Sequence, residues 1–368
     1  MRSTPLVAGL VVSAAIGHVG YPIALAAVAR RRQPAPRVDP AAWPAVTVLV
    51  PAYLEAGVIG AKVADVHANG YPGPLEVLVV ADGDPETAAK AAAAGARVEL
   101  LPERRGKSQA LNHGVAAASH EMVVISDANN ELEQGAIAHL VRRLSEDGVG
   151  AVAGEKLEGT GGELAYWRFE AWLKRNEDLM GTTLGLDGGL CAVRRSTWPV
   201  IPTDISNDDL WVALDLMERG LRVAYEPQAV VREDSIGGTA LSWERRTRVL
   251  GGGLWVMWRK RQLLDPRRGF VSAQIWGHKL WRSTIGPLSH LALLLMAVRS
   301  APGSLLARLF LAGHAVGAAS FAAQQRDVRL PLPARLAAQV LYLQAVAFGG
   351  MARCLRGDRV LQWAKPAR

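Results

Sequence analysis

From Ala45 to about Glu233, short apolar runs alternate with stretches of mixed polarity. Val46-Thr47-Val48-Leu49-Val50 predicts a strand that ends at Pro51. Leu75–Val80 predicts a second, ending at Asp82-Gly83-Asp84, Arg97–Leu101 a third and Met122–Ser126 a fourth. Ala88–Ala94, Ser108–Ala118 and Leu210–Leu214 have helical character. Strands that alternate with helices imply right-handed crossovers and a mainly parallel sheet, an α/β fold. The second and fourth runs stop on acids, and in such sheets ligands bind beyond the carboxyl ends of the strands.

On either side of this region the polarity falls. Pro5 to Ala29 holds no charged side chain, which predicts a bilayer-spanning helix. A signal peptide is the competing reading, but here the charges follow the apolar run instead of preceding it. Arg30, Arg31, Arg32 and Arg37 come next and favour a cytosolic start for the following domain, with the N-terminus outside. Gly286–Val298, Ser304–Ala323 and Ala337–Met351 are three further candidate spans, the first and last of them short. One N-terminal and three C-terminal crossings would put the arginine-rich tail outside, against the positive-inside tendency, so one segment does not cross or the rule fails. Leu254–Trp281 carries Trp255, Trp258, Trp276 and Trp281 among basic residues, which suits a helix lying in the membrane interface. The expected division is a transmembrane helix at 1–30, a proline-rich linker at 31–44, a cytosolic α/β domain at 45–250, an interfacial region at 251–283, C-terminal transmembrane helices at 284–352 and a basic tail at 353–368.

Composition narrows the function. The chain has 368 residues and a formal charge of +8, with arginines beside the apolar stretches, which favours an anionic membrane surface. No motif that reads nucleic acid is present, so no nucleic-acid partner is expected. Cys191 and Cys354 are the only cysteines, too few for a disulfide framework or a thiolate metal site, and the eight histidines lack ligand spacing.

The candidate chemistry sits at the strand ends. Val50-Pro51-Ala52-Tyr53-Leu54-Glu55, Asp82-Gly83-Asp84, Arg105-Gly106-Lys107-Ser108 and Asp127-Ala128-Asn129 all point to one edge, and Asn207-Asp208-Asp209 follows later. An acid delivered by a buried strand suits a metal-bound phosphate, and a second acid suits a general base. Asp127 and Asp209 are equally placed to cap the helices that follow them. Gly106-Lys107-Ser108 is not a phosphate loop, because that motif's preceding glycine is missing.

In this order the pieces resemble the membrane-bound glycosyltransferases of family 2, in the bacterial branch of poly-N-acetylglucosamine, hyaluronan and cellulose synthases. Tyr166-Trp167-Arg168-Phe169-Glu170 and Tyr225-Glu226-Pro227 also look like that branch. The resemblance implies a GT-A-type, Rossmann-like mixed α/β sheet with flanking transmembrane helices. It implies an inverting transfer from a nucleotide-sugar, most readily a UDP-sugar, to a saccharide or lipid-linked acceptor in envelope polysaccharide synthesis at the inner membrane. By the same resemblance Pro51, Ala52, Tyr53, Glu55 and Asp82 hold the nucleoside, and Lys107 faces the diphosphate. Asp127 and Asn129 hold Mg2+ or Mn2+. Asp208 and Asp209 match the family's catalytic pair, with Asp209 as base. Arg245 and Arg248 stand in an arginine motif near the donor, and Asp187, Gly188 and Trp167 lie on the acceptor side. The chain departs from the pattern at Leu54 (usually Asn), Ala81 (usually Asp), Asn129 (usually Asp) and Val249 (usually Trp). Two alternatives stay open. One is transfer of a single sugar to a lipid carrier or glycerolipid. The other is a non-catalytic nucleotide-sugar-binding scaffold that recruits envelope-assembly proteins.

Overall fold

The computed structural model describes residues 4–34, 36–158, 162–233, 239–326 and 328–358. The chain forms two compact units. The α/β unit runs Leu25–Ile236 and takes in Arg259–Leu263. The four predicted strands are all present, as β1 Val46–Ala52, β2 Leu75–Asp82, β3 Arg97–Leu101 and β4 Met122–Ser126. They are joined by β5 Glu131–Leu132, β6 Val149–Glu158, β7 Leu190–Arg194 and β8 Arg222–Glu233 in one sheet of order β3-β2-β1-β4-β7-β6-β8-β5. The first four strands in that order are mutually parallel. Beyond β4 the sheet turns mixed: β7 runs antiparallel to both β4 and β6, β6 is parallel to β8, and β5 is antiparallel to β8. The mainly parallel expectation therefore holds for one half of the sheet, and the mixed GT-A-type form describes the whole.

Every residue of β1 and β4 is buried. Helices cover both faces, which is why these strands read as unbroken apolar runs and not as alternating ones. Val48, Val50, Val79 and Val124 pack with Ile137, Leu140 and Leu144 of the Ala136–Leu144 helix. Burying each such side chain contributes about 1.5–3 kcal/mol. The helix expected at Ala88–Ala94 begins earlier and spans Pro85–Ala93. The Asp84 side chain accepts from Thr87 N–H, and Pro85 takes the first helical position, where its missing N–H does no harm.

The helical unit contains the N-terminal helix as far as Ala24, the Thr239–Arg259 helix up to Trp258, and the chain from Leu264 onward. The boundary expected at 250 thus falls inside a helix of this unit. Among the described residues two helices, Pro5–Ala29 and Leu305–Gln324, are long and apolar enough to cross a membrane. The two short candidate spans belong to longer helices. Gly286–Ser300 continues helical from Phe270, and the last span lies within Leu332–Arg356. The interfacial region expected at 251–283 is not one helix. The chain leaves the Thr239–Arg259 helix, makes short turns at Arg261–Leu264 and Pro266–Arg268, and starts again at Phe270. Gly269, with φ of 59°, makes the break. Glycines bring helices of this unit together. A Cβ on Gly350 would meet Leu250 at 2.3 Å, and one on Gly251 would meet the Gly350 carbonyl at 3.0 Å. The basic tail beyond Asp358 lies outside the described residues.

Candidate active site

The carboxyl ends of β1 and β2 carry the donor-side candidates. Pro51 and Ala52 are the last residues of β1 and are buried. Glu55 is also buried, and its backbone N–H donates to Thr87 Oγ1 at 3.0 Å. Asp82, expected to face the base, is 1% exposed. It accepts from Arg105 N–H at 2.6 Å and Gly106 N–H at 2.8 Å. Its carboxylate thereby fixes the loop that leads into Lys107. Tyr53 lies under the Arg104 guanidinium, 4.1 Å from the ring centre. This pair forms a cation–π contact that strand patterns did not reveal. Leu54 has φ of 54°, a left-handed conformation that suits Asn or Gly and strains a branched residue. That geometry gives a physical reason for Asn at this position and makes Leu54 a costly substitute.

Lys107 is the first residue of the Lys107–Ala117 helix, whose N-terminus has no side-chain cap. Its first N–H groups can donate to an anion. Lys107 Nζ donates to Asp127 Oδ1 at 2.5 Å and to the Gly188 carbonyl at 3.1 Å. Burial alone would lower the ammonium pKa, but the carboxylates of Asp127, Asp208 and Asp209 outweigh it and raise the pKa well above the ordinary value. Lys107 is therefore a fixed positive charge.

Asp208 and Asp209 open the Asp208–Glu218 helix. The cap is Asn207, whose Oδ1 accepts from Leu210 N–H at 3.2 Å. Asp209 Oδ1 accepts from the same N–H at 2.7 Å. Its other oxygen faces Gly188, where an added Cβ would stand 4.0 Å from Asp209 Oδ2 and 3.5 Å from Lys107 Nζ. A Cβ there would make ordinary contact with both groups, so Gly188 lies between the cation and the carboxylate. Below lies a small cleft whose lining includes Leu111, Ile125, Leu186 and Cys191. Burial pushes the Cys191 thiol pKa up, which keeps it from acting as a nucleophile. Lys260, on the segment returned to this unit, pairs with Asp215 at 2.5 Å and Glu218 at 2.7 Å and holds the helix that carries Asp209.

Asn130, which sequence reasoning passed over, joins these parts. Its Nδ2 donates to the Gly189 carbonyl at 2.7 Å. Its Oδ1 accepts from Lys62 at 2.8 Å and Ser126 at 3.0 Å. Lys62 also donates to the Asn130 carbonyl at 3.0 Å, so a buried lysine ties the Asp127–Asn130 loop down. Asp187 is buried and accepts from Gly189 N–H at 3.0 Å, which shapes the turn that presents Gly188. Trp167 lies beneath Lys156, 5.4 Å from Nζ to the ring centre, and its indole N–H is buried with no acceptor among the described residues. Arg245 and Arg248 are half-buried on the Thr239–Arg259 helix of the helical unit, and Val249 on that helix is exposed. The structure thus gathers Lys107, Asp127, Gly188 and Asp209 around one space, with Asp208 beside Asp209.

By donor type, Asp127 and Asn129 offer the oxygen atoms that a hard divalent ion takes. Among the described residues no group of three or more His, Cys, Asp or Glu side chains could hold a metal ion. Asp127 offers a carboxylate and Asn129 an amide oxygen. Hard cations take oxygen ligands and fill the remainder from substrate phosphates.

Residues 47–197 match the family model for glycosyl transferase family 2. The poly-beta-1,6-N-acetyl-D-glucosamine synthase of Staphylococcus aureus is 27% identical over 233 residues, 58% of this chain and 56% of that protein. An N-acetylglucosaminyltransferase of Rhizobium meliloti is 27% identical over 216 residues, 51% of this chain and 50% of that protein. The chain spans about half the length of these curated relatives. A mannosyltransferase of Pyrobaculum calidifontis, solved with GDP-Man and Mn2+, superposes with a TM-score of 0.74 at 26% identity. The match covers 95% of this chain and 99% of that one.

Proposed function

Because the chain carries a family 2 glycosyltransferase domain, we propose that it moves a hexosyl group from a nucleoside-diphosphate sugar to a hydroxyl of a saccharide or lipid-linked acceptor, with inversion. The observation that carries the proposal is the space bounded by Lys107, Asp127, Gly188 and Asp209. Asp209 Oδ2 takes the acceptor hydroxyl proton as that oxygen forms its bond to the anomeric carbon. The bond from that carbon to the diphosphate oxygen breaks, and its electron pair leaves with the nucleotide. Lys107 and the uncapped helix N-terminus offset the growing negative charge. Asp127 and Asn129 would hold the divalent ion, which supplies Lewis-acid neutralisation of the leaving diphosphate. Tyr53, Glu55 and the loop held by Asp82 form the nucleoside side, and Arg104 is added to that set. Trp167 and Asp187 belong to the acceptor side, where a buried indole N–H with no acceptor among the described residues suits a sugar hydroxyl.

A second reading is transfer of a single sugar to a lipid carrier or glycerolipid, from a UDP- or a GDP-sugar. A GDP-sugar donor is supported by the mannosyltransferase solved with GDP-Man, which this chain matches over nearly the full length of both. Val249, where the family pattern has a tryptophan, favours a single transfer over chain extension. The helical unit carries exposed large apolar residues such as Leu306, and with the two apolar helices this supports a bilayer partner and an inner-membrane location. The silent-scaffold alternative is disfavoured by Asp127 and Asp209, since a scaffold that only binds nucleotide sugar needs neither a metal ligand nor a general base.

The test is nucleotide release by detergent-purified protein across UDP- and GDP-sugars with Mn2+ or Mg2+, with and without lipid extract. Release from one donor that increases with lipid supports transfer to a lipid-linked acceptor. Release that increases with oligosaccharide instead supports chain extension. Nucleotide binding without release under any of these conditions would sink the enzyme reading.

A further inference from the structure

We infer that Glu233 is a positioning residue that turns the Asn129 amide oxygen toward the divalent ion of the donor complex, so that an asparagine serves where the family pattern has a second acid. The inference rests on the metal-dependent reading above. Asn129 Nδ2 donates to Glu233 Oε1 at 2.9 Å. A carboxylate only accepts, so the amide nitrogen must face Glu233, and the carbonyl oxygen on the other corner of the same planar group points away from it. Donation to an anion also draws electron density onto that carbonyl oxygen, which improves it as a ligand for a hard cation.

The sheet builds this contact between residues far apart in sequence. Just after Asn129, β5 pairs antiparallel with β8, with Glu131 opposite Arg232 and Leu132 opposite Val231. That register brings the end of β8, with Glu233, beside Asn129. The Glu233 side chain is 6% exposed and is ion-paired with Lys156, which is equally buried. An aspartate at 129 would put a second carboxylate at hydrogen-bond distance from Glu233, and the two would repel. The amide at 129 and the acid at 233 are therefore complementary. The negative charge expected on the motif stands one contact further out, neutralised by Lys156.

The experiment titrates Mn2+ into the full chain in detergent with saturating UDP, and separately GDP, reading free Mn2+ by its electron paramagnetic resonance signal. Glu233→Ala and Asn129→Ala are each expected to weaken Mn2+ binding about tenfold, and the double variant no further than Asn129→Ala alone. Glu233→Gln should recover most of the loss, because its carbonyl still accepts from Asn129. Asn129→Asp should bind Mn2+ no better than wild type despite its added charge, and Asn129→Asp with Glu233→Gln should bind better than either single variant. If Glu233→Ala unfolds the protein by stranding Lys156, the Glu233→Ala/Lys156→Met pair removes both charges and carries the same expectation.

Mn2+ affinity within twofold of wild type in Glu233→Ala, or losses that multiply in the double variant, would overturn the inference. Asp127→Ala separates the two levels. Loss of Mn2+ binding there, with Glu233→Ala unaffected, defeats only the role of Glu233. Unchanged binding in Asp127→Ala and Asn129→Ala defeats the metal reading as well.

Discussion

The two halves of the sheet hold their edge carboxylates in different ways. In the parallel half, β3-β2-β1-β4, acids accept hydrogen bonds from nearby loops: Asp82 from Arg105 and Gly106 N–H, and Asp84 from Leu54 N–H at 2.9 Å. In the mixed half, β7-β6-β8-β5 and the helices beside it, buried acids meet buried cations: Glu233 meets Lys156, and Asp178 meets Arg143 at 2.9 Å. Hydrogen bonds from backbone N–H groups to a carboxylate fix loop shape, which suits a rigid cradle for a nucleotide. Buried ion pairs add little net stability but are costly to break one partner at a time. On the function proposed above, the parallel half would cradle the donor with loop hydrogen bonds and the Lys107–Asp127 pair at its edge, whereas the mixed half and its helices would carry the base and the acceptor side.

If that division is right, variants on the two halves fail differently. Asp209→Asn should lower turnover by about 10³-fold while leaving nucleotide affinity within about twofold, measured by release kinetics and by titration with the nucleoside diphosphate. Equal damage to both quantities would erase the distinction. Lys107→Met, on the parallel half, should instead weaken nucleotide-sugar affinity and turnover together, by about 10²-fold, because it removes a preorganised cation.

At the opposite end of the parallel half, Glu76 gives a stability test. Burial alone would raise its pKa, but hydrogen bonds from Thr47, Ser119 and Arg97 outweigh it and bring the pKa from 4.5 down to about 2. A carboxyl with a depressed folded pKa stabilises fully above its unfolded pKa and loses that contribution as pH falls toward the folded value. Glu76→Gln should therefore lower stability by about 1–3 kcal/mol at pH 7. In thermal melts the gap from wild type should close as pH falls from 4.5 toward about 2. A gap that stays constant with pH would assign the loss to shape and not to charge.

The smallest effect belongs to Leu54. Replacing it by Asn relieves a left-handed backbone and should stabilise by about 1 kcal/mol, a rise of about 2–4 °C in Tm. No gain would mean that the loop does not carry strain.

The division between the halves also marks how far the sequence could be read. The runs at Val46–Val50, Leu75–Val80, Arg97–Leu101 and Met122–Ser126 matched β1 to β4 closely, because a fully buried parallel strand writes its burial into consecutive residues. Asp127, Lys107 and Asp209 stood out for the same reason, as polar residues where an apolar run or a helix begins or ends. Those features depend on neighbours a few positions apart, and the sequence alone determined them. What it did not contain in readable form was the return of β7 antiparallel beside β4, the pairing of β5 with β8, and the contacts those pairings create. Asn130, Arg104, Lys156 and Glu233 look like ordinary loop or strand residues until strands distant in the chain are set side by side. Only the tertiary structure decided their roles, because a hydrogen bond between Asn129 and Glu233 depends on strand order and register, which no local periodicity encodes.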